Sequence, residues 1–201
     1  MGEDGLFATI KSWLLPEEEK VNLFFFAGRA LVYVLLVWWG VPLIRATVES
    51  NAVGEHFLHN VNLPFHEAGH LFFSPFGRFM HVLGGSLGQL LMPLICLGTF
   101  LYQQNPFGAS VGLWWFAESL MDLGPYIADA RAGQLILLGG VTGQDVEDYH
   151  DWEVLLGRLG WMQHDVTLGH AAYNTGILLM ALAFLWGAAL LYRQYKNLAG
   201  V

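Results

Sequence analysis

Charge is what this chain has least of. Only 13% of its 201 residues are Asp, Glu, Lys or Arg, and 55% are hydrophobic. An average soluble domain carries about 25% charged residues, so a water-covered globule is excluded and a membrane protein is expected. Cysteine is almost missing as well. Cys96 stands alone in an apolar run, which excludes a disulfide framework and a cysteine-based zinc site. Basic residues are scarce, 9 against 17 acidic, and the formal net charge of −8 excludes nucleic acid as a partner. The acids gather at Glu17–Glu19 and Asp145–Glu153. No cleavable signal peptide is expected, because the chain opens with Glu3 and Asp4 and its first long apolar run exceeds a signal core. Leu6 takes the place where a myristoylation signal has Ser or Thr.

Aromatic residues are plentiful: eight Trp, seven Tyr and fourteen Phe, which suits rings gathered at bilayer interfaces. The hydropathy pattern predicts one integral-membrane domain over 1–201, an all-α polytopic bundle of about four full spans. An N-terminal interfacial segment, 1–20, carries an amphipathic helix over 5–15 with Leu6, Ile10, Trp13 and Leu14 at helical spacing. Spans are predicted over 22–44, 84–102, 109–129 and 169–192, with an acidic non-spanning segment over 130–168. Gly84, Gly85 and Gly88 crowd the start of the second span and permit close helix contact. If a short helix between the first two spans counts as a crossing, Lys11, Lys20, Arg78, Arg131 and Arg158 share one side. Arg45, Arg193 and Lys196 take the other, and this five-to-three count leans to a cytoplasmic N-terminus in a bacterial-type inner membrane.

That short helix holds the chemistry. His66-Glu67-Ala68-Gly69-His70 reads H-E-x-x-H. Residues i and i+4 share a helix face, so both imidazoles can bind one ion. The glutamate beside the first histidine can take a proton from water held at that ion. Zinc suits such a site as a Lewis acid that lowers the pKa of its water toward about 7. Asn62 as cap and Pro64 in the first turn mark a start, and Ser74-Pro75 a stop. The resulting 12 residues reach roughly 18 Å against a ~30 Å hydrocarbon core, so the helix is embedded without crossing. The bland alternatives are a histidine pair bonded within the bundle, or axial haem ligands, which leave Glu67 unexplained.

A catalytic zinc needs a third protein ligand. Glu118, Asp122 and Asp129 share one face of the third span, and acids within a span must look into protein or water. Asp129 also sits at the helix end near Arg131. His150 and Asp151 lie in the acidic segment, where Asp151 is read as the cap of a helix over 152–160. The remaining histidines, His56, His59, His81, His164 and His170, are read as interfacial.

These residues resemble the site-2-protease group of intramembrane metalloproteases. "FHEAGH" matches the zinc-binding helix of that group. "GGSLGQ", 84–89, is similar to its Gly-rich core-helix entry, with Gln89 where Asn is usual. "MDLG", 121–124, is similar to its later Asp-Gly motif, with Leu123 interposed. The resemblance covers roughly residues 60–130. It implies zinc held by His66, His70 and Asp122; from the residues themselves, Glu118, Asp129 and the region "YHDW", 149–152, with His150 foremost, stay open as rival ligands. It also implies Glu67 as general base and a membrane-protein substrate cut within or beside the bilayer. Two further readings stay open. One is a non-catalytic accessory subunit that keeps a metal-site remnant. The other is a zinc hydrolase of lipids or prenylated peptides.

Overall fold

A computed structural model describes residues 11–15 and 22–199. Besides a helical turn at 11–14, six α-helices form among the described residues: α1 (Leu23–Arg45), α2 (Phe57–Phe73), α3 (Arg78–Tyr102), α4 (Pro106–Ala128), α5 (Asp151–Leu159) and α6 (Asp165–Ala199), with short 3₁₀ turns between some of them. No strand occurs among the described residues. Three helical segments, Leu23–Arg45, Arg78–Tyr102 and Met162–Leu198, are long and apolar enough to cross a membrane. Helix α4 has the length but not the hydropathy, because it carries Glu118 and Asp122. Most of its side chains are buried, as expected of a helix wrapped by others.

Local chemistry sets the ends. Asn22 caps α1 by accepting the Phe25 N–H at 2.9 Å. Asn105 caps α4 by accepting Gly108 N–H, with Pro106 in its first turn. Gly77, at φ +90°, breaks the chain between the 3₁₀ turn Ser74–Phe76 and α3. That break lets α3 begin at Arg78, earlier than expected. Of the expected interfacial helix, only residues 11–15 are described. They turn helically and dock on α6, where Trp186 and Arg193 donate to the carbonyls of Leu14 and Leu15. The rest of that helix, with Glu17–Glu19 and Lys20, lies outside the described residues.

The helices pack antiparallel in the order α2–α3–α4–α6–α1. Gly69 meets Gly84 and Phe65 meets Gly88 between α2 and α3; Leu97 meets Gly112 between α3 and α4. Gly124 meets Gly169 between α4 and α6, and the Tyr173 hydroxyl of α6 donates to Leu43 O of α1 at 2.7 Å. The α2–α3 contact needs its glycines, since a Cβ on Gly69 would stand 2.0 Å from Gly84 O. Core residues from four helices and the 46–56 segment, among them Leu43, Val53, Leu58, Trp114, Met121, Tyr173 and Met180, pack into one cluster.

One expectation needs correction. Helix α2 does not start at Asn62. It starts at Phe57, capped by His56, whose Nδ1 accepts Leu58 N–H at 3.3 Å. Pro64 lies inside the helix, and Asn62 is buried as a hydrogen-bonding partner of α4. The 17 residues reach about 25 Å, still short of the ~30 Å core. Only one face is enclosed: Leu58, Asn62, His66 and Gly69 are buried, while Phe57, Leu71 and Phe72 are exposed. The condition on which the charge count rested, that this short helix counts as a crossing, is not met. The end of α1, the start of α3, the end of α4 and the start of α6 lie together at one end of the bundle. The Leu43–Tyr173 and Gly124–Gly169 contacts fix three of them there, and the Arg78–Asp148 ion pair ties α3 to the segment that follows α4. Residues 46–77 therefore leave that end and return to it. Arg78 and Arg131 sit with Arg45, while Lys11 sits with Arg193, so the five-to-three charge count loses its basis.

The segment after α4 is organised rather than merely solvated. Both carboxylate oxygens of Asp129 accept backbone N–H groups, from Gln134 and Leu135, each at 2.9 Å. A turn follows in which Leu137 N–H donates to Val141 O across Gly139 and Gly140, both at positive φ. Asp165, the first residue of α6, takes the Arg131 guanidinium at 2.9 Å.

Candidate metal centre

His66 and His70 lie on the face of α2 turned to α3 and the interior, one turn apart, with ring centroids 4.9 Å apart. Each ring is pinned through Nδ1. His66 Nδ1–H donates to Gln89 Oε1 at 3.2 Å, and His70 Nδ1–H donates to His81 O at 2.8 Å. These tautomers follow from the acceptors available. Each ring therefore turns Nε2 inward, the atom that a metal would take in place of a proton.

Both Nε2 atoms converge on one carboxylate oxygen. Asp151 Oδ2 lies 2.9 Å from His66 Nε2 and 3.3 Å from His70 Nε2. Two ligands of a tetrahedral zinc at ~2.1 Å stand about 3.4 Å apart, so each imidazole stands from Asp151 Oδ2 at close to a ligand-to-ligand distance. Gly85 faces the same point. A Cβ there would stand 2.4 Å from His66 Nε2 and 2.6 Å from His70 Nε2, so the missing side chain keeps the space before the imidazoles open. Burial pushes the Asp151 carboxyl up, but its hydrogen bonds to His66 and His70 outweigh this and hold it below the usual carboxylate range.

Glu67 comes within 4.8 Å of donor atoms of both histidines. It could be counted as a third ligand on distance alone. Asp151 is the better candidate, because it touches both ring nitrogens while Glu67 is exposed to the cavity that fronts them. That cavity has a volume of about 680 Å³, and its walls include His59, His66, Glu67, His70, Asp122, Tyr126 and Asp151.

Asp151 reaches the histidines because it does not cap its own helix. His150 does, its Nδ1 accepting Glu153 N–H at 3.3 Å. Asp151 is the first residue of α5, and its N–H donates to the Tyr126 hydroxyl at 3.0 Å. The expectation that Asp151 serves as the cap is therefore corrected.

The other sequence candidates fall elsewhere. Asp122 is buried, and its carboxylate is saturated by protein donors. His59 Nδ1 lies at 2.9 Å, the Gln89 amide donates at 2.8 Å and the Asn62 amide at 3.2 Å. It reaches His66 only through Gln89. Glu118 accepts from the Asn62 amide at 3.0 Å on one oxygen, and its other oxygen finds no partner among the described residues. Asp129 holds the backbone of Gln134 and Leu135, with His150 Nε2 at 3.6 Å, too long for a hydrogen bond. His150 is fully buried against Tyr126. None of these four touches His66 or His70. Among the histidines read as interfacial, His59 and His81 line the cavity.

Sequence reasoning named 149–152 as a rival ligand region but read Asp151 as a cap, and it missed Tyr126, and Gln89 as the acceptor for His66. The one signal for Asp151 was the histidine before it, able to take over the cap. Compared with protein-family models, curated proteins and solved structures, the chain shows no significant match.

Proposed function

We propose that this protein is a membrane-embedded zinc metallopeptidase that hydrolyses a peptide bond of a membrane-embedded or membrane-near substrate. His66, His70 and Asp151 hold the metal and Glu67 is the general base. The observation that carries this reading is the convergence of both Nε2 atoms on Asp151 Oδ2 before a glycine that leaves room for an ion. Asp151 here replaces Asp122 as third ligand, since Asp122 has its lone pairs engaged by His59, Asn62 and Gln89.

A zinc ion in this site supplies Lewis acidity toward the scissile carbonyl and toward water. The protein supplies the rest. Glu67, open to the cavity, takes a proton from the attacking water and returns it to the departing amine. Gln89 and the His81 carbonyl fix the imidazoles so that neither must reorient. Helices α1, α3, α4 and α6 form the four spans, with α4 screened from lipid by its neighbours, and α2 with its flanking turns is re-entrant. A buried backbone of this kind is tolerated at membrane depth where it packs on protein or lines a cavity.

The test is elemental analysis of freshly purified protein. About one zinc per chain is expected in the wild type, and none in His66→Ala/His70→Ala. Glu67→Gln should keep its zinc and lose proteolysis, which also separates a peptidase from an accessory subunit with a structural metal. Wild type that never carries zinc would refute the proposal.

A further inference from the structure

The metal centre leaves one cluster in the same cavity unused. His59 stands on the wall, with its side chain about 40% exposed. Its Nδ1 lies 2.9 Å from one oxygen of Asp122 and 3.2 Å from the other. The Asp122 side chain is 2% exposed, and the amides of Asn62 and Gln89 donate to its Oδ2. Asn62 is fixed in turn, its Oδ1 accepting Trp115 Nε1–H at 2.8 Å. A carboxylate hydrogen-bonded at Nδ1 fixes the ring's orientation and favours the charged imidazole, in which Nε2 also carries a proton. The ring's other nitrogen makes no hydrogen bond to the described residues, and the ring borders the cavity. An imidazole oriented by a buried carboxylate, with its far nitrogen open, is the arrangement enzymes use for acid–base work and for holding developing negative charge.

We infer that His59 and Asp122 form a second functional pair in this cavity, with His59 Nε2–H donating a hydrogen bond to the substrate oxygen that gains negative charge as the peptide bond is attacked, and Asp122 acting as the positioning residue behind it. The inference rests on the proposed peptidase reading and assigns the pair no role in holding metal. No bond is made or broken by His59, since the proton carried by Glu67 completes the hydrolysis. The same network reaches His66, because Gln89 donates to Asp122 and accepts from His66, so substrate donor and candidate metal ligand are held in one frame.

The experiment compares wild type, His59→Ala, His59→Gln, Asp122→Asn and Glu67→Gln in detergent micelles. Zinc content, cleavage of fluorescently labelled casein, and the imidazole ¹⁵N titration of His59, identified by its loss in His59→Ala, are measured. With zinc retained near one per chain, His59→Ala should lower kcat by roughly 10²-fold, the loss typical of one such donor. His59→Gln, which keeps a donor, should recover part of it. Asp122→Asn should move the His59 titration midpoint down by about one unit or more, as loss of an adjacent carboxylate does. Zinc-replete His59→Ala within about threefold of wild type, zinc loss in that variant, or an unmoved midpoint in Asp122→Asn would each overturn the inference. If wild type and Glu67→Gln treat casein alike, the peptidase reading fails, and the titration alone decides whether the pair exists.

Discussion

Asp151 and Asp122 show how differently two carboxylates can be employed around one histidine. Asp151 has both Nε2 atoms before one oxygen, whereas Asp122 has donors on all sides and no path to the metal position. Asp151→Asn is therefore expected to abolish zinc retention by elemental analysis, while Asp122→Asn keeps about one zinc per chain. A sharper residue-scale prediction concerns Gly85. Alanine is a better helix former than glycine by roughly 1 kcal/mol, so Gly85→Ala should leave helicity by circular dichroism unchanged. Its methyl group would occupy the point faced by both imidazoles, so zinc should be lost. Retained zinc in Gly85→Ala would place the ion elsewhere. The histidine pair was legible in the sequence because a spacing of four on a helix is a local fact. Asp151 was not, because it arrives from a distant helix and its position in an acidic run looked like ordinary capping. Asp122 was visible as an anomaly, a carboxylate in an apolar run. Periodicity cannot say whether such a group meets a metal or, as here, amides and an imidazole.

At the scale of elements, two features bear directly on the site. The first is the α2–α3 contact, where backbone meets backbone through Gly69, Gly84 and Gly88. Gly69→Ala forces helices apart whose separation sets the distance from the imidazoles to Gly85. It should cost more than about 2 kcal/mol, at the overpacking end of small-to-large substitutions. A lowered melting temperature together with lost zinc is the expected readout. The second is the anchor at Asp129. Burial there pushes the carboxyl up, but His150 and the N–H groups of Leu135 and Gln134 hold it below its ordinary value. A depressed folded-state pKa contributes stability above the unfolded value of about 3.9 and loses it as pH falls through the folded value. Amides of Gln134 and Leu135 should thus be protected from exchange near pH 6 and lose protection below about pH 4. In Asp129→Asn that protection should already be weaker near pH 6 and change little between the two pH values. Equal protection in the two proteins would remove Asp129 as the anchor. The glycines at the α3 start were read correctly from the sequence as a close-contact signal. The start of α2 was not, since Asn62 and Pro64 form a good local beginning that burial against α4 overrides.

For the whole molecule, residues 46–77 leaving and re-entering at one end has a topological reading. In a Cys96→Ser background, Ser50→Cys and Phe76→Cys, the latter at an exposed position, should react with a membrane-impermeant maleimide from the same side of sealed vesicles, and Gln104→Cys from the opposite side. Labelling of positions 50 and 76 from opposite sides would contradict the fold. The same architecture also orders events in time. A ribosome delivers α2 long before the partners that satisfy it: Glu118 and Asp122, which Asn62 meets, come later, and Asp151 later still. At about 5–20 residues per second, the 81 positions from His70 to Asp151 take roughly 4–16 s to synthesise. Through that interval the nascent chain carries an unpaired histidine helix that has neither its buried partners nor its facing carboxylate. The site can close only once Asp151 has been made, so its maturation follows the synthesis of α1 to α4, and a product truncated before that residue would lack it.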